Sequence, residues 1–206
     1  MTQCLNVHPV NPQRRLLLQA VAILREGGLI VYPTDSCYAF GCQMGARAAV
    51  ERIERIRQTN KKHNFTLVCR DLAEIATYAK VEDWAYRLLR SHTPGPYTFI
   101  LDATREVPRR LQHTQRRTIG IRVPDHAVPR VILEELAEPI MSSTLLLPGD
   151  DVPMTDAAEI YQRLHGQVDL VIDGGNCGIE PTTVIDFTAG YPVVVRQGRG
   201  DVSAFL

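Results

Sequence analysis

An α/β fold on a mixed sheet is predicted by three features of the 206-residue sequence. A helical pattern near the start runs directly into a short all-apolar segment, as expected of a strand covered on both faces. The same helix-then-strand succession recurs downstream. Late in the chain, strand-like segments follow one another without a helix between them, which a purely parallel sheet does not permit. No linker, composition shift or repeat divides the chain, so residues 1–206 are expected to form one domain around one core.

Asn11 and Pro12 offer an N-cap and a first helical residue, and Leu16, Leu17, Ala20, Val21, Ile23 and Leu24 keep a helical period up to Gly27-Gly28. Leu29, Ile30, Val31 and Tyr32, closed by Pro33, predict the first strand. Ala46, Ala49, Val50, Ile53 and Ile56 share one face of a helix over 46–57, where Glu51 and Arg55 have the i, i+4 spacing of an ion pair. A strand follows at 65–69. Asp71 caps a helix to residue 79, a second helix covers 82–91, and Thr93-Pro94-Gly95-Pro96 ends it before a strand at 97–101. Further strands are expected at 118–123, 139–144, 168–173, 182–187 and 193–196, with helices at 127–137 and 156–165.

The longest apolar run, residues 16–24, is interrupted by Gln19 and is too short to span a bilayer. The polar, proline-containing start has no signal-peptide pattern, so a cytoplasmic location and no membrane partner are expected. Five scattered cysteines without a C-x-x-C pair do not predict a thiolate metal site. Cys37 and Cys42, which flank what reads as a glycine-containing turn, are expected to be small apolar fillers rather than a redox pair. Zero net charge conceals a division: residues 1–46, 47–130 and 131–206 carry +1, +8 and −9. The basic middle holds two clusters, Arg47, Arg52, Arg55, Arg57, Lys61 and Lys62, then Arg105, Arg109, Arg110, Arg116, Arg117 and Arg122. Either a polyanion binds there or the acidic segment faces them in the fold.

Neither G-x-x-x-x-G-K-[ST] nor G-x-G-x-x-G occurs, and G-x-S-x-G and H-E-x-x-H are also absent, which removes the common nucleotide, hydrolase and zinc motifs. What remains is a set of hydroxyls at strand ends, where open α/β sheets bind ligands. Thr34 and Ser36 flank Asp35 after the first strand, Ser142, Ser143 and Thr144 end another, and Thr182-Thr183 opens a third. Taken singly these are turn caps as readily as ligand donors. Arg57, Arg122 and Arg196 are each placed at an element end beside them, and a guanidinium grips carboxylate or phosphate oxygens in pairs.

Seven strings in order carry a family resemblance: the run from Tyr32 through Gly41 (YPTDSCYAFG), Arg55-Ile56-Arg57, Pro94-Gly95-Pro96-Tyr97-Thr98, Ile121-Arg122-Val123-Pro124-Asp125-His126, Pro139-Ile140-Met141-Ser142, Thr182-Thr183-Val184-Ile185-Asp186 and Val195-Arg196-Gln197-Gly198. With them the chain resembles the YrdC-like threonylcarbamoyl-adenylate synthases over nearly its whole length, in wording closest to the YciO branch. The resemblance implies a YrdC-like single domain, a twisted mixed β-sheet flanked by helices with a basic concave groove. It implies L-threonylcarbamoyladenylate synthase activity, a nucleotidyl transfer that consumes L-threonine, bicarbonate and ATP with Mg²⁺ and feeds an adenosine modification of tRNA. Carried over by position, Thr34, Arg122, Ser142 and Thr182 would hold threonine, Arg55, Arg57, Thr144 and Arg196 would face the nucleotide, and Arg55 and Arg57 would be catalytic. The family is also described as binding double-stranded RNA. A non-catalytic, RNA-binding alternative therefore has the groove and Arg109, Arg110, Arg116 and Arg117 gripping phosphates of tRNA, of double-stranded RNA or in a ribosome-associated role.

Two positions depart from the family pattern. Arg55 stands at the lysine of K-x-R, and Leu146 stands at the asparagine of S-x-N, here Thr144-Leu145-Leu146. Leucine has no donor, so weakened or altered activity is expected unless an amide such as Asn60 or Asn64 substitutes for it. Residues 58–64 read either as a lid over the groove or as a solvated loop.

Overall fold

The structure is a computed structural model that describes residues 1–58, 65–113 and 115–206. Lys61, Lys62, Asn60, Asn64 and nearly all of the expected lid at 58–64 therefore lie outside the described residues. The elements follow the order β1 (Gln3–Asn6), α1 (Arg14–Arg25), β2 (Ile30–Tyr32), β3 (Ala39–Gln43), α2 (Arg47–Arg57), β4 (Thr66–Val68), α3 (Leu72–Tyr78), α4 (Asp83–His92), β5 (Tyr97–Asp102), β6 (Thr118–Arg122), α5 (Ala127–Leu136), β7 (Ile140–Thr144), α6 (Ala157–Leu164), β8 (Leu170–Asp173), β9 (Thr183–Asp186) and β10 (Val193–Arg196). All ten strands join one mixed sheet in the order β1-β8-β2-β3-β7-β4-β6-β5-β9-β10.

Strand β1 escapes the sequence pattern because Gln3, Cys4 and Asn6 are exposed; it exists through its parallel pairing with the buried β8. Strand β3 escapes because Gly41 reads as a turn. It lies instead within the strand, opposite Ile30 and Ser142, so Cys37 and Cys42 do not flank a turn. Both cysteines are buried. The N-cap of α1 is Gln13 rather than Asn11, and the N–H groups of Val10 and Asn11 instead donate to Nδ1 of His8. Glu51 pairs with Arg47, not with Arg55, at 2.9 Å. Asp71 does cap α3, accepting the N–H of Glu74 at 2.9 Å.

The sheet has a core on each face. On one side Phe40, Ile53, Leu67, Phe99, Ile121, Met141 and Ile185 pack with the faces of α2, α4 and α6. Burying a side chain such as Phe99 contributes about 1.5–3 kcal/mol. On the other side α1 and α5 set Leu17, Val21, Ile132 and Leu133 against Ile30, Tyr32, Ile140, Val68, Leu170 and Ile172. That second layer ends at β4. Because strand residues alternate between faces, the cross-strand row Met141, Leu67, Ile121, Phe99, Ile185 is buried in the first core, and the next row, Ser142, Thr66, Gly120, Ile100, Asp186, faces the other way. Thr66, Gly120, Ile100 and the neighbouring Val184 are only half-buried, so this part of the sheet forms the floor of an open groove.

Candidate functional site

The groove floor is polar where small residues meet. Thr66 stands opposite both Ser142 and Gly120, and a Cβ at Gly120 would come within 3.2 Å of Thr98 Cγ2 and 3.3 Å of Thr66 Oγ1. Glycine there lets the two threonines approach over the strand between them. At one side the phenol of the fully buried Tyr32 lies 2.8 Å from Ser142 Oγ, and Ser142 also donates to the Phe40 carbonyl at 3.0 Å. Burial pushes the Tyr32 phenol up to about 12, so it remains a neutral donor. At the other side Thr98 and Thr182 join their hydroxyls at 2.9 Å.

Arg122 ends β6 and is 8% exposed. It pairs through Nη2 with the Asp35 carboxylate and donates through Nη1 to Ser36 Oγ at 3.2 Å, while Asp35 also accepts the N–H of Asp125 at 3.0 Å. Buried Nε of Arg122 has no hydrogen-bond partner among the described residues. The loop that delivers Asp35 is shaped by Thr34, whose hydroxyl accepts the N–H groups of Ser36 and Cys37 and donates to the Cys37 carbonyl at 2.6 Å. Thr34 thus serves first as the turn former of this loop. The loop is tied to the β8–β9 connection by the Tyr38 phenol, which donates to the Gly175 carbonyl at 2.7 Å, and by the Cys37 thiol on the Glu180 carbonyl. Arg196, at the end of β10, donates to the Thr182 carbonyl at 2.9 Å.

Of the residues singled out in the sequence, Thr34, Arg122, Thr182 and Arg196 are drawn together by this loop network, and Ser142 lies on the adjoining floor. Arg57 sits at the C-terminus of α2, where Nε meets the Leu146 carbonyl at 3.4 Å and Nη1 meets Ser143 Oγ. Partial burial lowers the pKa of both Arg57 and Arg196. Thr144 is exposed at the end of β7. Arg55 is exposed too, and residues two apart on a helix do not share a face, so α2 does not present Arg55 with Arg57. The predicted arginine cluster is divided. Arg109 and Arg110 lie on a 3₁₀ turn whose Leu111 packs into the first core, and Arg110 donates to the carbonyls of Met44 and Gly45. Arg116 pairs with Asp186 at 3.2 Å. Arg117 precedes β6 while Arg122 ends it, which separates the two by about 17 Å of extended strand. Arg116 thus reaches the floor row through Asp186, whereas Arg109 and Arg110 lie on the 3₁₀ turn.

Tyr32, Thr66, Thr98 and Gly120 were not legible as site residues. Thr66 and Gly120 signal only a hydroxyl or glycine within a short strand, whereas Tyr32 and Thr98 fall inside the family strings with no role attached to either.

The family model covering Sua5, YciO and YrdC, described as telomere recombination, matches residues 22–198. The chain belongs to the Sua5/YciO/YrdC family. Among its relatives, YciO of Escherichia coli K12 is 55% identical over 206 residues, spanning all of both chains. The crystal structure of that Escherichia coli protein superposes with a TM-score of 0.96 over the whole of both chains. The threonylcarbamoyl-AMP synthase of Pyrococcus abyssi is 29% identical over 182 residues, which are 87% of this chain and 53% of that protein. The crystal structure of Pyrococcus abyssi Sua5 complexed with L-threonine gives a TM-score of 0.87 at 26% identity, covering 96% of this chain and 58% of the other. The fold expected from the motifs is therefore the fold observed.

Proposed function

We propose that the groove carries L-threonylcarbamoyladenylate synthesis, at a rate lowered by Leu146. The observation that carries this proposal is the placement of Arg122: a buried guanidinium beside the hydroxyls of Ser36 and Thr98 on a sheet face left half-buried beyond β4. Such a group suits the carboxylate of an amino acid, and Ser142, Thr182 and Thr98 offer hydroxyls for its polar groups. The relation to a threonylcarbamoyl-AMP synthase and to a fold solved with L-threonine supports the same substrate.

In this reaction the threonine amine combines with bicarbonate, losing water, to give a carbamate. A carbamate oxygen then attacks the α-phosphorus of ATP, the bond to the β-phosphate oxygen breaks, and pyrophosphate leaves. The work for the protein is to hold two reactants in line and to offset charge on phosphate oxygens. Arg57, which meets Ser143 at the end of β7, and Arg196, which meets Thr182, are the guanidinium groups this reading assigns to the phosphates. Among the described residues no three His, Cys, Asp or Glu side chains gather as a metal-binding group. Mg²⁺ would therefore arrive as part of the ATP complex, held chiefly by phosphate oxygens and water.

The test is incubation of the full chain with ATP, Mg²⁺, bicarbonate and L-threonine, followed by pyrophosphate and adenylate measurement against a threonine-free control. Threonine-dependent product that disappears in Arg122→Gln establishes the proposal. A folded protein that forms no adenylate and does not bind L-threonine refutes it.

A further inference from the structure

The family motif ends at Gly198, and Arg199 follows it as an exposed guanidinium with no ion pair among the described residues. Its backbone is nevertheless fixed. The N–H of Arg199 donates to the Pro181 carbonyl at 2.9 Å, and Thr183 Oγ1 accepts the Gly198 N–H at 2.9 Å while donating to the Gly200 carbonyl at 2.6 Å. Gly198 is required for this approach, because a Cβ there would lie 2.2 Å from the Pro181 carbonyl. The segment is clamped against residues 181–183, the same residues that Arg196 grips and that carry Thr182.

From that anchor the side chain of Arg199 reaches the β8–β9 connection: a Cβ built on Gly178 would be 3.2 Å from Arg199 Nη1 and 2.9 Å from the Ser36 carbonyl. Gly178 thus lies between Arg199 and the loop that holds Arg122. The buried thiol of Cys37 feels all three guanidinium groups, Arg122, Arg196 and Arg199, and one carboxylate, Asp35. Asp35 pairs with Arg122, and among the described residues neither Arg196 nor Arg199 has an ion pair, which leaves two guanidinium groups on this side of the groove without a carboxylate partner. A zwitterionic amino acid contributes no net charge to offset them.

We propose that Arg199 is a third anion-binding residue of the groove, set beside Arg196 to contact a phosphate group of a ligand that carries at least two negative charges. This rests on the groove being the ligand site of the proposed function, but not on the synthesis itself. Arg199 makes the contact through a preorganised backbone, and its long side chain already lies over Gly178.

Calorimetric titration of the full chain with inorganic pyrophosphate tests it without turnover. Arg199→Gln is expected to weaken binding by about tenfold, the loss of one charge-assisted hydrogen bond at a partly exposed site. Arg199→Lys is expected to restore part of it, and Arg87→Gln on α4 to leave it unchanged. Wild-type protein that fails to bind pyrophosphate, unchanged affinity in Arg199→Gln, or an equal loss in Arg87→Gln would each overturn the proposal. If Arg199→Gln weakens pyrophosphate binding while wild-type protein makes no adenylate, the anion contact stands and the synthase proposal falls.

Discussion

The phenol of Tyr32 crosses an entire strand to reach the hydroxyl of Ser142, 2.8 Å away. Tyr32 is in β2 and Ser142 in β7, with β3 between them, and the crossing passes over Gly41. A Cβ at Gly41 would lie 2.8 Å from Tyr32 Cε1 and 3.0 Å from Ile140 Cγ2. Gly41→Ala should therefore overpack a fully buried position and lower stability by about 1–3 kcal/mol. Urea unfolding is expected to show an earlier midpoint with an unchanged slope. A midpoint equal to wild type would mean that the ring moves aside at no cost.

The Asp35–Arg122 pair is close to fully buried, at 11% and 9% side-chain exposure. Removing one partner strands the other charge. Asp35→Ala is expected to cost about 3–5 kcal/mol, whereas the Asp35→Ala/Arg122→Met double variant should be more stable than Asp35→Ala alone. A double-mutant cycle by equilibrium unfolding measures this, and additive losses would show that the pair is not coupled.

His126 caps α5 by accepting the Val128 N–H on Nδ1 at 3.1 Å, a bond that needs an unprotonated nitrogen. Burial lowers its pKa from the ordinary 6.5. The unfolded chain therefore takes up the proton first, so the contribution is complete above 6.5 and falls as pH drops through that value toward the folded one. His126→Asn keeps a capping acceptor without the titration. Between about pH 7 and pH 5 wild-type stability should decline relative to this variant, as read from thermal midpoints across pH. Parallel curves would remove His126 as the cause.

Leu146 is half-buried, and its carbonyl, not its side chain, meets Arg57. Leu146→Asn restores a donor and acceptor at the position where the family pattern has one. Threonine-dependent pyrophosphate release is expected to rise about ten- to a hundredfold, the equivalent of about 1–3 kcal/mol in the barrier. No increase, with threonine binding intact, would place the limiting departure elsewhere, with Arg55 the next candidate.

Helices and buried strands were legible because their periods are written in apolar residues: α2 follows Ala49, Val50 and Ile53, and β2 follows Ile30, Val31 and Tyr32. Strand β1 was not, since a partner strand rather than its own exposed residues makes it a strand. Arg122 and Thr182 were legible as site residues because they end or open strands in a recognised order. Thr66 was not, because it lies outside those strings and its place depends on which face of the sheet lacks a helix.

The sequence by itself determined the α/β class, the sites of most elements, the family motifs and the candidate chemistry of hydroxyl and guanidinium groups. Only the tertiary structure decided which of those groups meet. It left one half of a sheet face uncovered by ending the α1–α5 layer at β4, and it used Thr34 to shape the loop that carries Asp35 to Arg122. It also put the length of β6 between Arg122 and Arg117, which share one cluster in the sequence. The physical reason is that periodicity and propensity act over a few neighbouring residues, whereas convergence depends on strand order and register between residues as far as 143 positions apart, as with Cys37 and Glu180.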